Sequence, residues 1–128
     1  MASRMERLRN LVSVQQQLKA FHEMRHAGFL ADARAAGFDA ADIMARADAA
    51  GSLSDLFPDV YARGIAGALA RQEESLKKAE AAAARIATET ARTNMVERSY
   101  REARIRDERE AGDKEGLEAI QRTRPEPI

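Results

Sequence analysis

The segment Gly51-Ser52-Leu53-Ser54-Asp55-Leu56-Phe57-Pro58-Asp59 decides the fold of this 128-residue chain. Gly51 suits the residue after a helix, where a left-handed backbone is wanted, and Pro58 disfavours helix at Phe57 and cannot donate to a preceding turn. The chain turns here, and both flanks read as helix. Upstream, Leu8, Leu11, Val14, Leu18, Phe21, Met24/Arg25 and Phe29 recur in steps of three and four, a single helical stripe. Gly28 falls where a large knob is due. Gly37-Phe38-Asp39 offers a break or kink, since Asp39 is an acceptable N-cap with Asp42 three residues on, but a continuous helix to Ala50 is the preferred reading.

Downstream there is no proline from Asp59 to Gln121, and Ile65, Leu69, Gln72, Leu76, Ala79, Ala83, Ile86 and Thr90 alternate four- and three-residue steps. The seam they predict is rich in small residues, with Ala79, Ala82 and Ala83 letting a partner backbone come close. A short connection between long helices demands antiparallel packing. The expected fold is therefore all-α: an antiparallel two-helix coiled-coil hairpin forming one unit over residues 1–122. Helix one covers 3–50, the turn 51–58 and helix two 59–121, with a frayed tail at 123–128 that holds two prolines. At about 1.5 Å per residue the helices measure roughly 72 Å and roughly 95 Å, so the second outruns the first. Its last part, Arg92 to Glu118, carries 15 charges in 27 residues, with Glu97/Arg101, Glu102/Arg106 and Glu110/Lys114 spaced for ion pairing.

Composition agrees. Of 57 hydrophobic residues 27 are alanine, and there are four phenylalanines, two tyrosines and no tryptophan, a thin supply for a globular core but enough for a narrow seam. Basic and acidic residues both number 21. This balance, which also holds along the chain, gives no general attraction to nucleic acid or an anionic bilayer. The absence of cysteine excludes disulfides and thiolate chemistry and suits a reducing cytoplasm. No apolar run approaches the ~18 residues needed to span a bilayer, and the charged start does not read as a signal peptide.

The sharpest catalytic motif is His22-Glu23-Met24-Arg25-His26, which fits the H-E-x-x-H zinc-protease pattern. These are the only two histidines, so a third histidine ligand is lacking, and two helices build no substrate cleft. A zinc peptidase is thus the remote alternative, and no cofactor, metal or small-molecule substrate is expected. Tyr61, Ile65, Ala68 and Gln72 share a helical face just after the turn, beside Leu53, Leu56 and Phe57. The cluster reads either as packing that closes the loop or as a docking patch, since a two-helix tip has too few neighbours to bury Leu53, Leu56, Phe57, Tyr61, Ile65 and Leu69 together and exposed apolar patches mark partner sites.

Taken together, Arg7-Leu8-x-x-Leu11-Val-x-Val14-Gln15, the mid-chain turn, and a longer second helix with Glu97-Arg-Ser-Tyr100-Arg101-Glu-Ala103-Arg104 and Glu115-x-x-Glu118 resemble the FliJ/YscO family. Its members are small cytoplasmic stalk proteins of flagellar and type III secretion export machines. The resemblance implies a non-enzymatic hairpin similar to the rotor stalk of rotary ATP synthases, peripherally associated with a membrane-embedded export apparatus. Its implied partners are the export ATPase, the export-gate membrane protein and export chaperones, with no nucleic acid and no insertion into the membrane. Tyr61, Ile65, Ala68 and Gln72 match the spacing of the family's gate-binding face, with Gln72 where better-known members carry histidine, and Phe57 joins them at the tip. Arg4, Arg7, Leu8, Arg101, Arg104 and Arg109 fall on the helix ends that the resemblance directs into the ATPase ring. The rival reading from the residues alone is a generic coiled-coil adaptor or self-associating structural protein.

Overall fold

A computed structural model describes residues 3–124 of the chain. Two helices make up the fold: α1, Arg4–Asp48, and the longer α2, Pro58–Thr123, packed antiparallel as a helical hairpin. The described residues contain no strand. Of the tail expected at 123–128, Thr123 instead closes α2, its hydroxyl donating to the Ala119 carbonyl at 3.1 Å, and the part from Pro125 on lies outside the described residues.

Local chemistry explains the boundaries. Ser3 and Glu6 close a capping box: the Glu6 amide donates to Ser3 Oγ at 3.1 Å and the Ser3 amide to Glu6 Oε2 at 3.3 Å, which satisfies donors that the first helical turn leaves open. At the other end, Ser52 Oγ and Ser54 Oγ both donate to the Ala47 carbonyl, at 2.8 and 2.9 Å. Gly51, with φ at +78°, reverses the chain in the left-handed conformation that glycine adopts without strain. Pro58 then takes the first position of α2, where its missing N–H costs nothing.

α1 runs through Gly37 without a break. A Cβ at Gly37 would lie 2.6 Å from Gln72 Nε2, so the glycine is where the facing side chain of α2 crosses close to the α1 backbone, rather than a helix end.

Contacts group the chain into two compact units, Leu18–Glu89 and the pairing of Met1–Gln17 with Thr90–Ile128. Within the first, the residues of α1 turned inward are Lys19, His22, His26, Phe29, Ala33, Ala36, Ala40, Ile43 and Ala47. Facing them on α2 are Tyr61, Ile65, Ala68, Gln72, Ser75, Ala79, Ala82, Ile86 and Glu89. Both sets alternate steps of three and four throughout, the heptad spacing of a coiled-coil seam. Ala33, Ala36, Ala40, Ala68, Ala79 and Ala82 are its buried apolar core. Alanine pairs let the backbones approach, at the cost of little apolar area per residue. In the second unit Leu8, Val12 and Gln15 of α1 and Thr93, Val96, Tyr100 and Ala103 of α2 are turned inward, and Gln16 Nε2 donates to Glu97 Oε1 at 3.2 Å.

The seam is not the one that the large residues mark out. Of the expected α1 stripe only Leu8 and Phe29 face inward; Leu11, Val14, Leu18, Phe21 and Met24 are 39 to 73% exposed. In α2 the expected Ile65, Gln72, Ala79 and Ile86 are on the seam, but Leu69, Leu76 and Ala83 give way to Ala68, Ser75 and Ala82. The small seam residues Ala33, Ala36, Gly37 and Ala40 set the phase where α1 and α2 come close, as the approach of Gln72 to Gly37 shows, with Ala68 and Ala79 buried on the facing helix. Extending that phase at 3.5 residues per turn brings His26, His22 and Lys19 inward, and leaves the bulky residues on the flanks.

Candidate protein-binding surfaces

At the turn, Leu53, Leu56, Phe57 and Val60 form an outward apolar patch, each between 53 and 72% exposed. Its backbone is held by the two serine bonds to Ala47 and by the Phe57 amide donating to the Leu53 carbonyl at 2.9 Å, so the patch sits on an ordered turn. Of the residues assigned to a gate-facing tip, Phe57 belongs to this patch. Tyr61, Ile65 and Gln72 are half-buried on the seam against α1, and Ala68, at 0% exposure, has no surface to offer while the helices are packed. Leu56 and Val60 complete the outward patch. Their signal in the sequence was position, beside the proline on the side away from the seam.

In the unit containing both helix ends, Arg4, Arg7, Arg101, Arg104 and Arg109 are exposed, and Leu8 is half-buried on the seam. Arg104 Nε donates to Glu108 Oε1 at 3.1 Å. Arg9, Tyr100, Arg104, Asp107 and Glu108 line one shallow depression with Met5, and Arg109 lines another with Glu102, Ile105, Arg106, Glu110 and Asp113. Among the described residues the expected pairs Glu97/Arg101, Glu102/Arg106 and Glu110/Lys114 do not form. Glu97 accepts a bond from Gln16 instead. Every residue from 104 to 124 is exposed.

His22 and His26 are half-buried on the seam, while Glu23 points outward and meets Lys19 at 4.0 Å. No group of three or more His, Asp or Glu side chains among the described residues is placed to hold a metal ion.

A third surface was not anticipated by the sequence. Phe21, His22, Arg25 and Phe29 of α1 and Lys78, Ala81, Ala82 and Arg85 of α2 line a groove of about 460 Å³. The Arg25 guanidinium lies 5.6 Å from the Phe21 ring centre and 5.3 Å from that of Phe29, so both rings hold it by cation–π attraction. The adjoining groove shares Lys78 with it and sets Asp32, Asp39 and Glu74 against Arg71 and Lys78 over an Ala35–Ala36 floor, with Arg71 3.7 Å from Asp39 and Lys78 3.4 Å from Glu74, which leaves Asp32 as its unpaired charge among the described residues. No helix among the described residues is long and apolar enough to cross a membrane.

No protein-family model, curated protein or solved structure matches this chain.

Proposed function

We propose that the chain is a non-enzymatic protein-binding stalk, the FliJ/YscO-like component of a flagellar or type III export apparatus. It works in the cytoplasm, bound peripherally to a membrane-embedded machine, and links the export ATPase to the export gate while handling export chaperones. The observation that carries the reading is the hairpin's distribution of side chains. Its seam is spent on alanines, while a held turn displays Leu53, Leu56, Phe57 and Val60 and the longer helix ends in a fully exposed charged stretch. Surfaces of these two kinds suit two different partners, an apolar docking contact and a salt-sensitive one. The family resemblance supplies the identity of those partners.

The test is co-purification with the export ATPase and with the cytoplasmic domain of the gate protein. Phe57→Ser with Val60→Ser is expected to lose the gate at least tenfold and keep the ATPase, and Arg104→Glu with Arg109→Glu to do the reverse, with ATPase binding weakening as salt is raised. Retention of neither partner by the unaltered chain refutes the proposal.

The half-exposed Leu18, Phe21, Leu69 and Leu76 favour a second reading, a self-associating coiled coil. Sedimentation at micromolar concentration separates the two, since the stalk is monomeric.

A further inference from the structure

We infer that the groove between Phe21–Phe29 and Lys78–Arg85 is a docking site for an acidic amphipathic helix of a partner protein, a contact separate from those of the stalk reading. The lining supplies three full cations, Arg25, Lys78 and Arg85, and no carboxylate. Among the described residues neither Arg25 nor Arg85 has a carboxylate within ion-pair distance. Lys78 reaches Glu74 at 3.4 Å, an exposed pair that exchanges readily. Arg25 is held in advance by the two rings on which it lies, so little rotamer freedom is lost when its donors meet a carboxylate, and a planar guanidinium takes that group through two hydrogen bonds. Between the cations the floor is apolar: Phe21 is 49% exposed, and Ala81 and Ala82 leave room beside it for a leucine-sized side chain.

An incoming helix with apolar residues at i and i+4 and acidic residues on either side of them satisfies both features. The neighbouring surface decides against a polyanion. A nucleic-acid strand carries charge at every step and would run from this groove onto a stretch where Arg71 and Lys78 are already held by Asp39 and Glu74 and Asp32 adds a further carboxylate, whereas the acid of an amphipathic helix is confined to the cationic stretch.

The experiment titrates the full chain into a fluorescent model peptide of about five helical turns, built from glutamate with leucine at i, i+4 spacing, and follows anisotropy. A lysine-for-glutamate version of the peptide and a single-stranded RNA oligonucleotide of matched charge run alongside. The glutamate peptide is expected to bind at least tenfold tighter than either. Arg25→Gln and Arg85→Gln should each weaken it about tenfold, the scale of one charged hydrogen bond, with circular dichroism unchanged. Phe21→Ser should weaken it while leaving the salt dependence in place. Equal binding of the lysine peptide, tighter binding of the RNA, no binding of the glutamate peptide, or indifference to both arginine changes overturns the inference. So does sedimentation showing a dimer that Arg25→Gln dissolves, which makes the occupant a second copy of the chain.

Discussion

Glycines give the most direct residue-scale tests. Gly28 lies inside α1 with nothing within 4 Å of the position a Cβ would take, so it weakens the helix without serving a contact. Gly28→Ala is expected to stabilise the chain by about 0.5–1 kcal/mol, because alanine loses less backbone freedom on folding. Gly37→Ala meets Gln72 Nε2 at 2.6 Å, and the gain is offset by moving that amide. Gly51→Ala costs about 1 kcal/mol or more, since φ at +78° strains any side chain. Thermal melts by circular dichroism should rank the three in this order, Gly28→Ala highest and Gly51→Ala below the unaltered chain. Equal melting of the Gly28 and Gly37 variants would remove the role given to the Gln72 contact. Gly51 was legible from sequence because it precedes a proline-bounded turn. Gly37 offers a helix break in the sequence even though a continuous helix is the preferred reading there, and its use as the place where Gln72 crosses the α1 backbone appears only once the facing helix is in position.

At the scale of the element, the decisive quantity is the rotation of each helix about its axis. In α1 the stripe of large residues from Leu11 to Met24 lies one to two residues from the seam that the alanines from Ala33 on continue. In α2 Leu69, Leu76 and Ala83 each lie one residue from Ala68, Ser75 and Ala82, and periodicity alone follows the larger side chains. The number of helices, their approximate ends and the turn between them follow from proline, glycine and the three-four spacing, which are local properties. Rotation follows from how closely two backbones can approach, which is a property of the pair. For the same reason the tip was half legible: its apolar richness is in the sequence, but Tyr61, Ile65, Ala68 and Gln72 turn inward and Val60 outward once the alanines set the phase, while Leu53 and Leu56 are exposed on the turn itself. Exchanging two neighbours tests this without altering composition. Ala68→Leu with Leu69→Ala moves the large side chain from a flank where it is 44% exposed to a site with 0% exposure. Overpacking there should cost about 1–3 kcal/mol, read as a lower urea midpoint. A raised midpoint would place the seam on the leucine register instead. The groove beneath Arg25 was illegible for the same cause, since Phe21 and Phe29 read as core when the leucine stripe is taken as the seam.

For the molecule as a whole, stability is distributed unevenly, because apolar burial is. Six alanines, Ala33, Ala36, Ala40, Ala68, Ala79 and Ala82, form the buried apolar seam, and no large side chain among the described residues is fully buried. Residues 61–89 nevertheless face a partner helix at every heptad position, whereas residues 104–124 are exposed throughout. There α2 rests on intrinsic propensity and, among the described residues, on the single ion pair Arg104–Glu108, which contributes about 0.2–0.5 kcal/mol. A helix so supported is marginal, with opening free energies near zero. Amide hydrogen exchange of the isolated chain should therefore find residues 104–123 protected about tenfold or less, against far slower exchange at Ile65, Ala68, Ala79 and Ala82. Saturating a partner of the charged end should raise protection over 104–123 and leave the alanine seam unchanged, since ligand binding stabilises the segment that it contacts. Equal protection of both segments in the dilute, isolated chain would mean that the charged stretch is already covered. Repeating the exchange on dilution then identifies the cover: if the protection falls, the covering surface belongs to another copy, and the exposed end is an assembly contact rather than a socket for a different protein.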